Sequence, residues 1–257
     1  MKRVGIIIGV PDSPHGRLPG VEVDLERYRR FLGSLGGGAW EPSEIQVLRN
    51  PNRTHALQAV QAAQNFDYGF VVFSGHGYHG VGASLSETVV CLTGHDEARI
   101  SELFPRVRRS VVIADCCRKE VTLAANVREQ LLASAAFANE RRTIDRATAR
   151  ANFDAAVMQC EEGRIVLYAC DVNQSAGDNT RTGGCFSSSL LSHAERWSEN
   201  SRAGTSLDVR DAYNQARQVT NGINYPQNPQ MEAGRRLSYY PLAVGERLAS
   251  SSTLLYG

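Results

Sequence analysis

The sequence has no long apolar run, no paired-cysteine spacing and almost no net charge, and each absence removes a class of function. The apolar stretch near the start, Val4 to Val10, is followed at once by Pro11, Asp12 and Pro14. It is too short for a signal-peptide core, and no later stretch approaches the roughly 20 apolar residues of a membrane helix. The expectation is a cytoplasmic protein without a membrane partner. Six cysteines (91, 116, 117, 160, 170 and 185) show neither CxxC nor a disulfide-framework spacing, so reduced thiols are expected. Lys plus Arg (28) nearly cancel Asp plus Glu (27), which leaves no basic excess for nucleic acid. Gly5-Ile6-Ile7-Ile8-Gly9 lacks the GxGxxG spacing, and no GxxxxGK[ST] occurs, which disfavours a nucleotide-binding domain. There is no internal repeat.

What is present suits a globular chain. With 42% hydrophobic and 21% charged residues over 257 positions, one domain covering 1–257 is expected, and disorder is not. Lys2 to Gly9 reads as a buried strand, Val21 to Leu35 as an amphipathic helix stopped by Gly36-Gly37-Gly38, and Ile45 to Leu48 as a short strand. Thr54 is the predicted N-cap of a helix through Gln64. Tyr68 to Phe73 and Val111 to Asp115 are apolar strands, Thr88 to Leu92 a hairpin strand, and Glu97 to Phe104 a short helix. Residues 118–162 read as polar, Ala-rich and helical, followed by a strand from Arg164 to Ala169. Helices over Phe186 to Trp197 and Leu207 to Val219 and a last strand at Tyr239-Tyr240 complete the pattern. Such alternation predicts an α/β three-layer sandwich, a mostly parallel sheet with helices on both faces.

Sheets of that kind carry their functional groups at the carboxyl ends of the strands. Ser74-Gly75-His76-Gly77 follows one main strand and Asp115-Cys116-Cys117 closes another. If the two strands are neighbours, right-handed crossover brings both ends to one edge, and a His and a Cys 41 positions apart face each other. A thiolate is a nucleophile, and an imidazole can take its proton and return it to a leaving amine. A glycine beside the histidine lets main chain approach substrate, so the Gly77 and Cys117 amides are candidate oxyanion donors. Zinc held by the Cys116-Cys117 doublet is disfavoured, because adjacent cysteines do not readily supply tetrahedral geometry. No metal or cofactor is expected.

These segments resemble a known family. Phe70-Val71-Val72-Phe73-Ser74-Gly75-His76-Gly77 is similar to the histidine motif of the caspase and metacaspase superfamily of cysteine peptidases, prokaryotic orthocaspase-type members included. Val111-Val112-Ile113-Ala114-Asp115-Cys116-Cys117-Arg118 resembles its cysteine motif. The pattern Asp-x-Cys selects Cys117 as nucleophile and turns Cys116 into the fold. Leu18-Pro19-Gly20-Val21-Glu22-Val23-Asp24 looks like the metacaspase segment that ends in a specificity-pocket Asp. Gln174-Ser175-Ala176-Gly177-Asp178, Gly183-Gly184-Cys185-Phe186 and Pro226-Gln227-Asn228-Pro229-Gln230 look like later family stretches. The resemblance implies a caspase-like fold and a cysteine endopeptidase with a His76–Cys117 dyad. It places Asp24, Ser74 and Asp115 in the S1 pocket. Carboxylates there imply protein substrates with Arg or Lys at P1. On the other reading, Asp24 is a surface helix residue and Asp115 a turn cap.

Two departures qualify the likeness. Arg118-Lys119-Glu120 stands where metacaspases usually carry His-Ser-Gly, and the segment from Tyr78 to Asp96 offers only Glu87 and Asp96 as hard ligands, so calcium dependence is not predicted. In this family activating cleavage commonly falls after the nucleophile strand. The 118–163 segment is therefore a candidate processing insertion, with Arg141, Arg142, Arg146 and Arg150 as candidate sites for self-cleavage or an activating protease; a solvated basic helix face is the alternative. The resemblance further implies a role in bacterial stress or antiphage defence, with an effector protein as partner. The competing class is a catalytically inactive caspase-homologue scaffold or interaction module.

Overall fold

The computed structural model describes residues 1–82, 85–119, 142–222 and 227–249. Along the chain come β1 (Arg3–Gly9), α1 (Pro19–Gly33), β2 (Ile45–Arg49), α2 (Arg53–Gln61) and β3 (Tyr68–Ser74). An antiparallel trio follows: β4 (Gly77–Gly82), β5 (Leu85–Cys91) and β6 (Glu97–Arg99). Then come β7 (Arg109–Asp115), α3 (Arg146–Gln159), β8 (Gly163–Tyr168), α4 (Cys185–Asn200), α5 (Val209–Asn221) and β9 (Gln230–Glu232). The central sheet has the order β9-β8-β7-β3-β1-β2, parallel except for β9 at one edge.

The strands are apolar on both faces because both are covered. Odd and even positions feed different cores. Ile7, Phe70, Val72, Val111 and Ile113 pack with Leu25, Tyr28 and Phe31 of α1, Phe153 of α3, Leu190 of α4 and Val209 of α5. Ile6, Ile8, Val71, Phe73, Val112 and Ala114 pack on the other side with Ala56 and Val60 of α2 and with Val90, Leu92 and Leu103. The predicted three-layer α/β architecture is what the chain adopts.

Several local expectations are corrected. The N-cap of α2 is Asn52, whose side chain accepts from the His55 amide at 2.8 Å, and Thr54 lies inside the first turn. The helix expected over Glu97 to Phe104 is strand β6 plus one 3-10 turn, Ile100–Leu103. Ala98 pairs with Val90 of β5, and four residues before Pro105 are too few to sustain an α-helix. Among the described residues the last strand is Pro241–Val244, not Tyr239-Tyr240, and it pairs with Ser206–Asp208 outside the main sheet. Of the helix expected across 118–162, α3 is the helical part among the described residues; 118–119, 142–145 and 160–162 are not helical, and residues 120–141 lie outside the described residues.

One register detail positions everything that follows. In the β3–β7 pair, Phe73 lies opposite Ala114 and Ser74 opposite Asp115, so the two strands end level. The Gly75 amide then bonds to the Asp115 carbonyl at 3.2 Å, which ties the two exits together.

Candidate active site

His76 and Cys117 each lie two residues beyond that level pair, and both line one cleft of about 600 Å³ at the carboxyl edge of the sheet. Cys116 is buried at 1% exposure and Cys117 is partly exposed, so the doublet divides as the Asp-x-Cys pattern implies. The two reactive groups share the cleft without bonding each other. His76 Nε2 sits 3.1 Å from the Gly16 carbonyl, and Cys117 Sγ donates to the Ala176 carbonyl at 3.8 Å. Burial pushes the Cys117 thiol up and the His76 imidazolium down, so the resting forms are thiol and neutral imidazole. A neutral His76 bonded to a carbonyl carries its proton on Nε2, which leaves Nδ1 as the acceptor.

Gly77 opens β4 opposite Val90. Because the Cys91 amide bonds to the His76 carbonyl at 3.0 Å, Gly77 occupies a non-hydrogen-bonded position of the ladder and its N–H points away from β5. A Cβ here would come within 2.7 Å of Cys116 Sγ and 2.9 Å of the Val89 carbonyl, so only glycine fits.

The floor of the cleft is acidic. Ser74, Asp115, Asp178 and Gly184 line it. Asp24 is not among the lining residues; at 1% exposure it sits one layer below, accepting from Ser74 Oγ at 2.7 Å and from the Gly184 amide at 3.0 Å. It is not a surface helix residue. Asp115 accepts from the Ser187 amide at 3.0 Å, and Asp178 from the Gly20 amide at 3.2 Å. Burial, with the charge of Asp178 added, raises Asp115 to about 6; burial and then the charge of Asp115 raise Asp24 well above the carboxylate range. Acids stacked this way oppose one another's ionisation and favour a cation that enters the cleft.

Arg118 turns away from the cleft. Its Nε donates to Thr88 Oγ1 at 2.9 Å and its NH1 to the Cys170 carbonyl at 3.2 Å, and the guanidinium lies 4.1 Å from the Tyr168 ring centre. The Arg118 amide and carbonyl bond to the Gln174 carbonyl and the Asn173 amide, both at 2.9 Å. The residue after the nucleophile therefore clamps β5, β8 and the 170–174 loop around it. Gln227 bridges the same region, donating to the Ala169 carbonyl at 2.9 Å and accepting from the Gly177 amide at 3.1 Å.

Of the four arginines singled out for processing, Arg141 lies outside the described residues and Arg142 is exposed. Arg146 and Arg150 are in the first two turns of α3, with Arg146 bound to the Gly33 carbonyl at 2.8 Å and Arg150 to Glu44 at 2.8 Å. Sequence reasoning left Asp178, Gly184 and Ser187 unassigned; the Gln174 to Asp178 resemblance was the available signal for the first. His15 also lines the cleft, its ring centre 5.9 Å from that of His76. Nothing in its Pro- and Gly-rich surroundings marks it in the sequence.

A parallel sheet covered on both faces, with a thiol and an imidazole sharing a cleft at its carboxyl edge, is the architecture of an α/β cysteine peptidase. The chain belongs to the caspase-domain family, whose pattern it matches over residues 2–240. Among solved structures it is similar to caspase-1 from Spodoptera frugiperda, at 13% identity and a TM-score of 0.59, covering 92% of this chain and 91% of that one. That likeness supports the caspase fold. Comparison with curated protein sequences finds no match. Among the described residues, no helix is long and apolar enough to cross a membrane.

Proposed function

We propose that this protein is a cysteine endopeptidase that cleaves protein chains after Arg or Lys, with His76 and Cys117 as its dyad. The observation that carries the reading is the level ending of β3 and β7, which sets both residues on one cleft above Asp115 and Asp178. A basic P1 side chain entering the cleft meets these carboxylates in charge-assisted hydrogen bonds. His76 accepts the Cys117 proton, the sulfur attacks the scissile carbonyl, and the amides of Gly77 and Cys117 receive the oxyanion. His76 then protonates the leaving amine, and water attacks the thioester with the same imidazole as base. Asp24 acts through Ser74, holding its hydroxyl in place.

In the resting arrangement Cys117 Sγ is bonded to the Ala176 carbonyl, so substrate entry or activation must turn it toward His76 Nδ1, which the contact of Nε2 with Gly16 leaves free to accept. Cleavage in the 118–163 segment suits that step. A protease has to unwind α3 to reach the bonds after Arg146 and Arg150, so Arg142, exposed and ahead of the helix, is the preferred position among the described three. The family also carries the expectation of a defence or stress role in a bacterial cytoplasm, with an effector protein as substrate.

Cleavage profiling on a peptide library tests the reading. Wild type is expected to cut after Arg and Lys and Cys117→Ala to cut nothing. A chain that cuts nothing after any processing is the inactive homologue, and a preference for Asp at P1 rejects the acidic pocket. Activation that proceeds unchanged with Arg141, Arg142, Arg146 and Arg150 all replaced by Ala rejects processing there.

A further inference from the structure

We propose that His15, Cys91 and Glu97 form a separate site for a zinc-like divalent cation, which fastens the 12–17 hairpin beside His76. One ligand atom from each of the three lies within 4.8 Å of the other two. They arrive from three places in the chain, 76 and 6 positions apart, which is why no sequence spacing shows them. Thiolate, imidazole and carboxylate together are a donor set suited to zinc. A tetrahedral zinc with bonds of 2.0–2.3 Å holds its ligand atoms roughly 3.5 Å apart, so closure by about an ångström completes the set.

The scaffold favours that closure. Cys91 and Glu97 are direct cross-strand partners in the β5–β6 ladder, so their side chains project to the same face from rigid backbone. Tyr78 Oη donates to Glu97 Oε2 at 2.7 Å, an outer hydrogen bond of the kind that orients a ligating carboxylate. Only His15 has to move, and it stands on an exposed turn between Asp12–Ser13 and Gly16–Arg17. On binding, the Cys91 thiol proton passes to solvent and the thiolate and carboxylate balance the two positive charges. The fourth position remains open to water.

Gly16, next to His15, presents the carbonyl that accepts from His76 Nε2. A cation on His15 therefore restrains the hairpin, whose Gly16 and Arg17 line the cleft, and limits the room that substrate needs beside His76. This consequence, inhibition by the cation, rests on the peptidase reading; the binding site itself does not.

The test uses full-length Cys117→Ala protein, so that the nucleophile cannot be a ligand, with Co²⁺ alone as the spectroscopic probe and Zn²⁺ in competition. One equivalent should bind with a thiolate-to-cobalt charge-transfer band, and Zn²⁺ should displace it. The band should vanish in Cys91→Ser, and affinity should fall at least tenfold in His15→Ala and in Glu97→Gln. The last two are substitutions of exposed side chains, so they carry the test if Cys91→Ser does not fold. Absence of the band, or affinities unchanged in all three variants, overturns the site. In the otherwise wild-type protein, Glu97→Gln should leave basal peptidase activity unchanged and raise the inhibitory Zn²⁺ concentration at least tenfold. Unchanged inhibition there overturns the coupling to His76. Metal binding by a protein that never cleaves peptides upholds the site and rejects the peptidase.

Discussion

Replacing Asp115 by Asn should move stability and specificity in opposite directions. The carboxyl is 4% exposed, and its folded value of about 6 stands above the ordinary 3.8, with burial the main cause. An acid displaced upwards costs stability once it ionises: folding weakens as pH rises from about 4 to about 6 and stays weaker above. The difference between 3.8 and about 6 corresponds to about 3 kcal/mol. Asn keeps the shape and still accepts from the Ser187 amide through Oδ1, but carries no charge. Asp115→Asn is therefore expected to gain up to about 3 kcal/mol above pH 6, on the order of 6–10 °C in Tm, and nothing near pH 4. Substrates respond the other way. A hydrogen bond to a charged partner contributes about 1.5–3 kcal/mol, so kcat/KM on an Arg substrate should fall roughly 10- to 150-fold while a neutral P1 residue is little affected. In wild type the Arg-over-neutral preference should also shrink as pH drops through about 6. Thermal unfolding from about pH 4 to 8, with paired kcat/KM values for Arg and neutral P1 peptides, measures both arms. A variant less stable than wild type at pH 8, or one that loses Arg and neutral substrates equally, refutes the reasoning.

Three further outcomes follow from contacts already described. Gly77→Ala forces a Cβ against Cys116 Sγ at 2.7 Å and displaces the amide proposed as an oxyanion donor, so kcat should fall by at least about 100-fold in a peptide assay. Arg118→Lys cannot reach both Thr88 and the Cys170 carbonyl while stacking on Tyr168; a loss of roughly 2–4 kcal/mol is expected in denaturant unfolding, with activity lost as the nucleophile loop loosens. Asn52→Ala removes the α2 cap and should cost about 1 kcal/mol without changing kinetics, because α2 lies on the face away from α1 and the acidic floor.

How much of this was readable beforehand depends on range. The runs Phe70 to Phe73 and Val111 to Ala114 announce buried parallel strands because β-branched and aromatic residues occupy both faces, and a strand end followed by Gly-His-Gly or Cys-Cys marks a functional edge. Local pattern suffices there. It failed where a partner far along the chain decides: Glu97 to Arg99 becomes a strand only because β5 lies beside it, and β9 is a short polar edge strand whose pairing with β8 no periodicity signals. Asp24 was placed in the pocket wall by resemblance, whereas contact with Ser74 and Gly184 sets it one layer deeper. Arg118 departs from the metacaspase pattern, and the sequence does not show where its side chain goes; the ring of Tyr168, fifty positions on, gives it a place to stack.

The central claim is that His76 activates Cys117. Labelling with an Arg-directed covalent inhibitor, followed by peptide mass mapping, measures it most directly. Modification should fall on Cys117 alone and slow by at least about 100-fold in His76→Ala, at unchanged inhibitor affinity. Equal labelling rates with and without the imidazole, or modification centred on Cys185 or Cys91, would contradict the account.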